Sequence, residues 1–118
     1  MNPTKGNKGG AKAWSEAEQR AAVRAYNVML MLEVDGKPYS KAAVNRWLRG
    51  VATVKDWKQP ATMTLAPERG AVATRSHGSL EMKFCNISAA RRALRWPTIR
   101  GYKSFGQGQK SLTDIIKE

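Results

Sequence analysis

Apolar positions along the chain fall into helical rather than alternating patterns over most of its length. The first begins at Trp14, where "WSEAE" sets Ser15 three residues ahead of Glu18, the reciprocal arrangement that satisfies two orphan N–H groups at a helix start. It predicts a helix from about Glu16 to Val34, with Ala22, Tyr26, Met29 and Leu32 on one face and Val23, Leu30 and Val34 widening it. "VDGKPYS" ends that helix, because Gly36 suits a left-handed cap and Pro38 cannot continue it. Ser40 then caps a second helix of roughly Lys41 to Val51, in which Val44, Trp47, Leu48 and Val51 make a core stripe. So short a connection makes the two a helix-turn-helix-like pair.

Residues 52–74 break the helical period. Pro60 and Pro67 exclude a long helix, and "ATMTLAPERGAVAT" alternates around the turn tetrapeptide "PERG". A β-hairpin insertion over about 61–74 with Arg69 at its tip is one reading, and an ordered loop is the other. Trp57, between Lys55 and Lys58, fits either the core or a base-stacking role.

The third helical segment predicts a start near Ser79 and an end around Arg95, since Pro97 disfavours helical geometry at Trp96. At 100° per residue, Leu80, Phe84, Ile87 and Leu94 form one apolar face, and Met82, Cys85, Ala89 and Ala93 form nearly the opposite one. Polar residues occupy two seams, with Glu81, Ser88, Arg92 and Arg95 on one and Lys83 and Asn86 on the other. A helix packed on both sides is the consequence. Arg91 falls near the first apolar face and has to snorkel or lie beyond the core's edge. After a Gly-containing loop in which Tyr102 and Lys103 are expected to be exposed, "SLTDIIKE" offers Ser111 as cap and Leu112, Ile115 and Ile116 as an apolar patch. The fold expected is therefore mainly α, a compact bundle of about four helices over 14–118, preceded by a basic tail at 1–13 too polar to order itself.

Composition narrows the chemistry. The 118 residues hold one Cys and one His, too few for an internal disulfide or a closed zinc site of the usual ligands, so neither metal nor cofactor is expected. Cys85 reads as packing and His77 as a helix-start residue. Glu16, Glu18, Asp56, Glu68, Glu81 and Asp114 are the acids a magnesium enzyme would draw on, but capping and surface positions account for most of them. A non-enzymatic protein is the expectation. The chain lacks the apolar stretch of a secretory signal or a membrane span, which points to the cytoplasm and away from a membrane.

Charge changes the picture most. Twenty-one Lys and Arg against nine Asp and Glu give a net charge of +12, and between Lys83 and Lys110 seven basic residues stand without an acid. An Arg-rich, acid-free stretch favours a polyanion, because the guanidinium fork matches phosphate. The candidate nucleic-acid contacts are Lys41, Arg46, Arg49, Arg69, Arg75, Arg91, Arg92, Arg95, Arg100 and Lys103.

Four stretches, "WSEAEQRAAVRAY", "GKPYSKAAVNRWL", "RSHGSLEMKFCNIS" and "PTIRGYK", resemble a small helical domain found N-terminal to HNH-type endonucleases in bacteria and mobile elements. The resemblance covers most of 14–103 and implies a module that brings a nuclease to DNA in a prokaryotic or phage-infected cell. The nuclease half is absent, since an HNH motif needs more than one His. Arg91, Arg92, Arg95 and Arg100 depart from the family pattern. Two functions follow: a nucleic-acid-binding protein, with double-stranded DNA ahead of RNA, or a phage or mobile-element inhibitor that occupies an acidic surface or nucleic-acid path on a protein or ribonucleoprotein.

Overall fold

The computed structural model describes residues 13–51, 69–104 and 110–118. Four helices order these residues: α1 (Glu16–Val34), α2 (Lys41–Arg49), α3 (His77–Ala93) and α4 (Lys110–Lys117), with no strand among the described residues. Helix α3 is the hub. It packs against α1, α2 and α4, and α1 also meets α2 and α4. Tyr26, Met29, Leu48, Leu80, Phe84, Ile87 and Leu112, drawn from all four helices, are fully buried in one cluster. None of the helices is long and apolar enough to cross a membrane, among the described residues.

The helix starts obey their caps. The Ser15 hydroxyl accepts the Glu18 N–H while the Glu18 carboxylate accepts the Ser15 N–H, at 3.1 and 3.0 Å. Ser40 accepts from Ala43 N–H. Helix α3 begins two residues before the expected start near Ser79: the Ser76 hydroxyl caps it by accepting the Ser79 N–H, so His77 is its first residue. Helix α4 starts at Lys110, which puts the expected cap Ser111 inside its first turn.

Three helices end alike, with paired hydrogen bonds running back from the two residues past the cap in a Schellman motif. For α1 these are Lys37 N–H to Leu32 O and Gly36 N–H to Glu33 O; for α2, Val51 N–H to Arg46 O and Gly50 N–H to Trp47 O. The motif needs one left-handed residue, and Gly36 (φ 70°) and Gly50 (φ 79°) provide it without a Cβ clash. At α3 the bonds are Trp96 N–H to Arg91 O and Arg95 N–H to Arg92 O, and the left-handed residue is Arg95, φ 63°. It is the one described non-glycine residue with a positive φ.

Several expectations are corrected. Residues 69–74 form successive turns pinned to the end of α2 by Gly70 N–H to Trp47 O and Val72 N–H to Leu48 O, so the second arm of the expected hairpin is not a strand. Its first arm and Trp57 lie outside the described residues, as do residues 1–12 of the basic tail. Helix α2 stops at Arg49 and leaves Val51 exposed rather than in the core stripe, and Val34 is likewise exposed. On α3 the Leu80, Phe84 and Ile87 face is buried, but Met82 is 43% exposed and Ala93 lies in solvent. Lys83 is instead 5% exposed, with Asn86 and Ser88 also buried. Partners make this tolerable. The Lys83 ammonium sits 4.8 Å from the centre of the Trp14 ring, and Ser88 Oγ lies 2.7 Å from the Tyr26 hydroxyl.

Candidate nucleic-acid interface

The basic residues separate by how they are held. Arg75 is a structural cation: it is 6% exposed, its Nη2 and Nε donate to both oxygens of Glu18 at 2.7 and 3.0 Å, and Nη2 also reaches Ala13 O. Its guanidinium lies 4.7 Å from the centre of the Trp14 ring. Arg75 is therefore removed from the expected contact set, since a phosphate has no access to it. The hydrogen bond from Arg75 holds the Glu18 carboxyl below its ordinary value against the opposing effect of burial. Burial, and then repulsion from Arg75, pushes the Lys83 ammonium down.

Around α2 lies a first basic group. Arg46 and Arg49 are half-buried in its last turn, Arg49 Nε donating to Asn45 Oδ1 at 2.6 Å, and Asn45 Nδ2 in turn donates to Glu81 Oε2 at 2.8 Å. Arg69 is exposed, one residue before the Gly70 that bonds the end of this helix. Lys41 stands at the other end of α2, about 12 Å from Arg49 by helical rise. Its ammonium lies 5.1 Å from the Tyr39 ring and 5.7 Å from the Tyr102 ring.

The second group occupies the end of α3 and the segment that leaves it. Arg91 folds back as expected: Nε donates to Pro97 O at 2.6 Å, and the guanidinium lies 5.8 Å from the Tyr26 ring and 5.4 Å from the Trp96 ring. Burial pushes it down from its ordinary value. Arg92, Arg95, Arg100 and Lys103 are exposed, and Arg92 Nε donates to Ser104 Oγ at 2.8 Å. No ion pair within the described residues engages these four. Arg91 and Arg92, in the last turn, also complement the negative end of the α3 dipole.

This segment is bolted to the core. The Tyr26 hydroxyl accepts the Ile99 N–H at 2.9 Å, and Ile99 is buried. Glu33 accepts the Arg100 N–H at 2.8 Å and the Tyr39 hydroxyl at 2.9 Å; burial acts to raise this carboxyl, and the two donors outweigh it, leaving it lowered. Tyr102, expected to be exposed, is buried against Phe84 and Tyr26 with ring centres 5.1 and 6.3 Å apart. Ile99 and Tyr102 thus face inward, and the residue after each, Arg100 and Lys103, lies outward.

The sequence reading used Trp96 only as a helix boundary. Its structural setting differs: Trp14 and Trp47 pack against the core, whereas Trp96 is 39% exposed among the arginines. The available signal was the tetrapeptide "LRWP", which puts an aromatic between a helix end and a proline inside the acid-free stretch.

No group of three metal-binding side chains occurs among the described residues, and burial followed by the Glu81 charge pushes the Cys85 thiol up, opposite to activation. Comparison of the chain with family models, with curated proteins and with solved structures finds no match.

Proposed function

We propose that this chain is a non-enzymatic nucleic-acid-binding protein that grips phosphates with the surface at the end of α3. The observation that carries the reading is an asymmetry in how charge is used. Of the seven described carboxylates all but Asp35 have a polar partner: Glu18 has Arg75, Glu16 and Glu118 have Arg20, Glu33 has Tyr39 and the Arg100 backbone N–H, Glu81 has Asn45, and Asp114 has Lys110. The side chains of Arg92, Arg95, Arg100 and Lys103 make no ion pair among the described residues, and the backbone of 99–100 beneath them is tied to Tyr26 and Glu33. A backbone held in advance removes one part of the ordering cost of meeting an anion and leaves the side-chain rotamers as the other. Lys41, with Arg46, Arg49 and Arg69 about one helix length away, extends the surface over a span a duplex backbone can follow.

Duplex DNA is the first partner to test, as the resemblance to a DNA-targeting module implies, with RNA as the comparison. If roughly six phosphates are neutralised, affinity falls about a thousandfold between 50 and 200 mM salt. Changing Arg92, Arg95 and Arg100 together to Ala lowers the slope of log affinity against log salt by about 2.7. Arg91 is left intact in that variant because its ties are internal. A salt-insensitive complex overturns the reading. Failure to bind any nucleic acid at low salt also overturns it, and directs the same surface to an acidic protein partner.

A further inference from the structure

The geometry around Trp96 points to a stacking platform: we propose that this indole receives one unpaired base, so that the surface engages nucleic acid where duplex gives way to single strand. The inference rests on the phosphate-binding reading above and specifies the form of its ligand. Trp96 is the one aromatic among the exposed large apolar side chains of the described residues. An exposed ring by itself means little. This one has its backbone tied at Trp96 and Pro97 and its ring met by the Arg91 guanidinium.

Its N–H closes the Schellman motif on Arg91 O at 2.9 Å, and the residue after it is Pro97, whose φ is fixed by its ring. Pro97 O is in turn held by Arg91 Nε, and the same guanidinium lies within cation–π reach of Trp96. In a Schellman motif the residue in the place of Trp96 commonly makes an apolar contact back to the helix at the place of Arg91. Here a guanidinium replaces that contact, so the ring is positioned by an electrostatic tie and keeps open surface. Preorganisation of this kind lowers the cost of ordering on binding.

The neighbouring left-handed residue supplies the second independent observation. Where the same motif closes α1 and α2 the chain places glycine, and where it closes α3 it places Arg95, exposed and immediately before the tryptophan. Backbone strain of this kind clusters at ligand-binding and active sites, which makes the segment a place to look for one. Arg92, Arg95 and Arg100 are exposed and lie within four residues of Trp96 along the chain, so an aromatic ring and phosphate-binding cations share one short segment, the combination by which single strands are held: stacking on the base and charge on the backbone. A continuous duplex has no free base face to offer such a ring.

The test compares a covalently closed, relaxed duplex DNA circle, which has no ends or loops, with the same circle carrying a single-stranded gap of about five nucleotides. The intact chain binds the gapped form at least about fivefold more tightly, the ratio expected for one stacked base at the lower end of measured values. Trp96→Leu keeps apolar bulk but has no aromatic face and loses the preference, while Trp96→Phe retains most of it. Equal binding of the two DNAs by the intact chain overturns the inference and leaves the phosphate reading standing. A gap preference that survives in Trp96→Leu does the same. Failure of both DNAs to bind at low salt defeats the phosphate reading, and this inference with it.

Discussion

Arg95 carries the clearest conflict between stability and use. A side chain with a Cβ in the left-handed region costs roughly 1–2 kcal/mol relative to the right-handed one, and glycine escapes the clash. Arg95→Gly therefore stabilises the fold by about 1 kcal/mol once the greater freedom of glycine in the unfolded chain is counted, which raises Tm by about 4 °C. The same change removes one cation from the surface and weakens nucleic-acid binding. Arg95→Ala separates the two effects, since it keeps the strain and loses the charge: it binds as weakly as the glycine variant without its gain in Tm. A lower Tm for Arg95→Gly, read in a thermal melt, would refute the account of the strain. Nothing in the sequence announces that Arg95 is left-handed, because the helix end there is signalled only by Pro97, and glycine, the usual marker, is absent. The end of α3 was legible within two residues; the conformation that closes it was not.

At the level of elements, polar side chains decide how α3 fits among its neighbours. The helical wheel gives relative angles and no information on which neighbour covers each face, so it placed Met82 inside and Lys83 in a seam. The structure exposes Met82 and lays the Lys83 stem and ammonium against Trp14. Capping signals were more dependable, since Ser15, Glu18 and Ser40 act through bonds only a few residues long. What sequence could not supply was the second role of Glu18, which also holds Arg75 across 57 positions of chain. This ion pair predicts a pH dependence. The Glu18 carboxyl is lowered from its ordinary 4.5, so its contribution is fully present above that value and lost as pH falls through the folded-state value. Glu18→Gln preserves the capping bond but strands a buried guanidinium, which costs about 3–5 kcal/mol at neutral pH. The expected result is a Tm gap between the native chain and Glu18→Gln that is widest at pH 6–7 and narrows below about pH 4.5. A gap that stays constant down to pH 3 would show that the ion pair is not its source.

For the molecule as a whole the question is whether its charge of +12 acts as a diffuse attraction or through a built surface. Any chain this basic gathers around a polyanion at low salt, so binding alone does not separate the two. Charge-matched variants do. Changing Arg92, Arg95 and Arg100 to Ala, or changing Lys5, Lys8 and Lys12 to Ala, removes three cations in each case and takes the formal charge from +12 to +9. If net charge governs association, the two variants lose affinity equally and keep parallel salt slopes. If the end of α3 is the contact surface, the arginine variant loses far more at 150 mM salt, and only its slope falls by about the 2.7 expected for three phosphate contacts. The internal ties make the second outcome the expected one: Tyr26 to Ile99, Glu33 to Arg100 and Arg91 to Pro97 hold the backbone of that segment, so its cations act from a backbone held in advance. A tail variant that weakens as much as the arginine variant would place the attraction in bulk charge and remove the reason to regard the α3 terminus as a site.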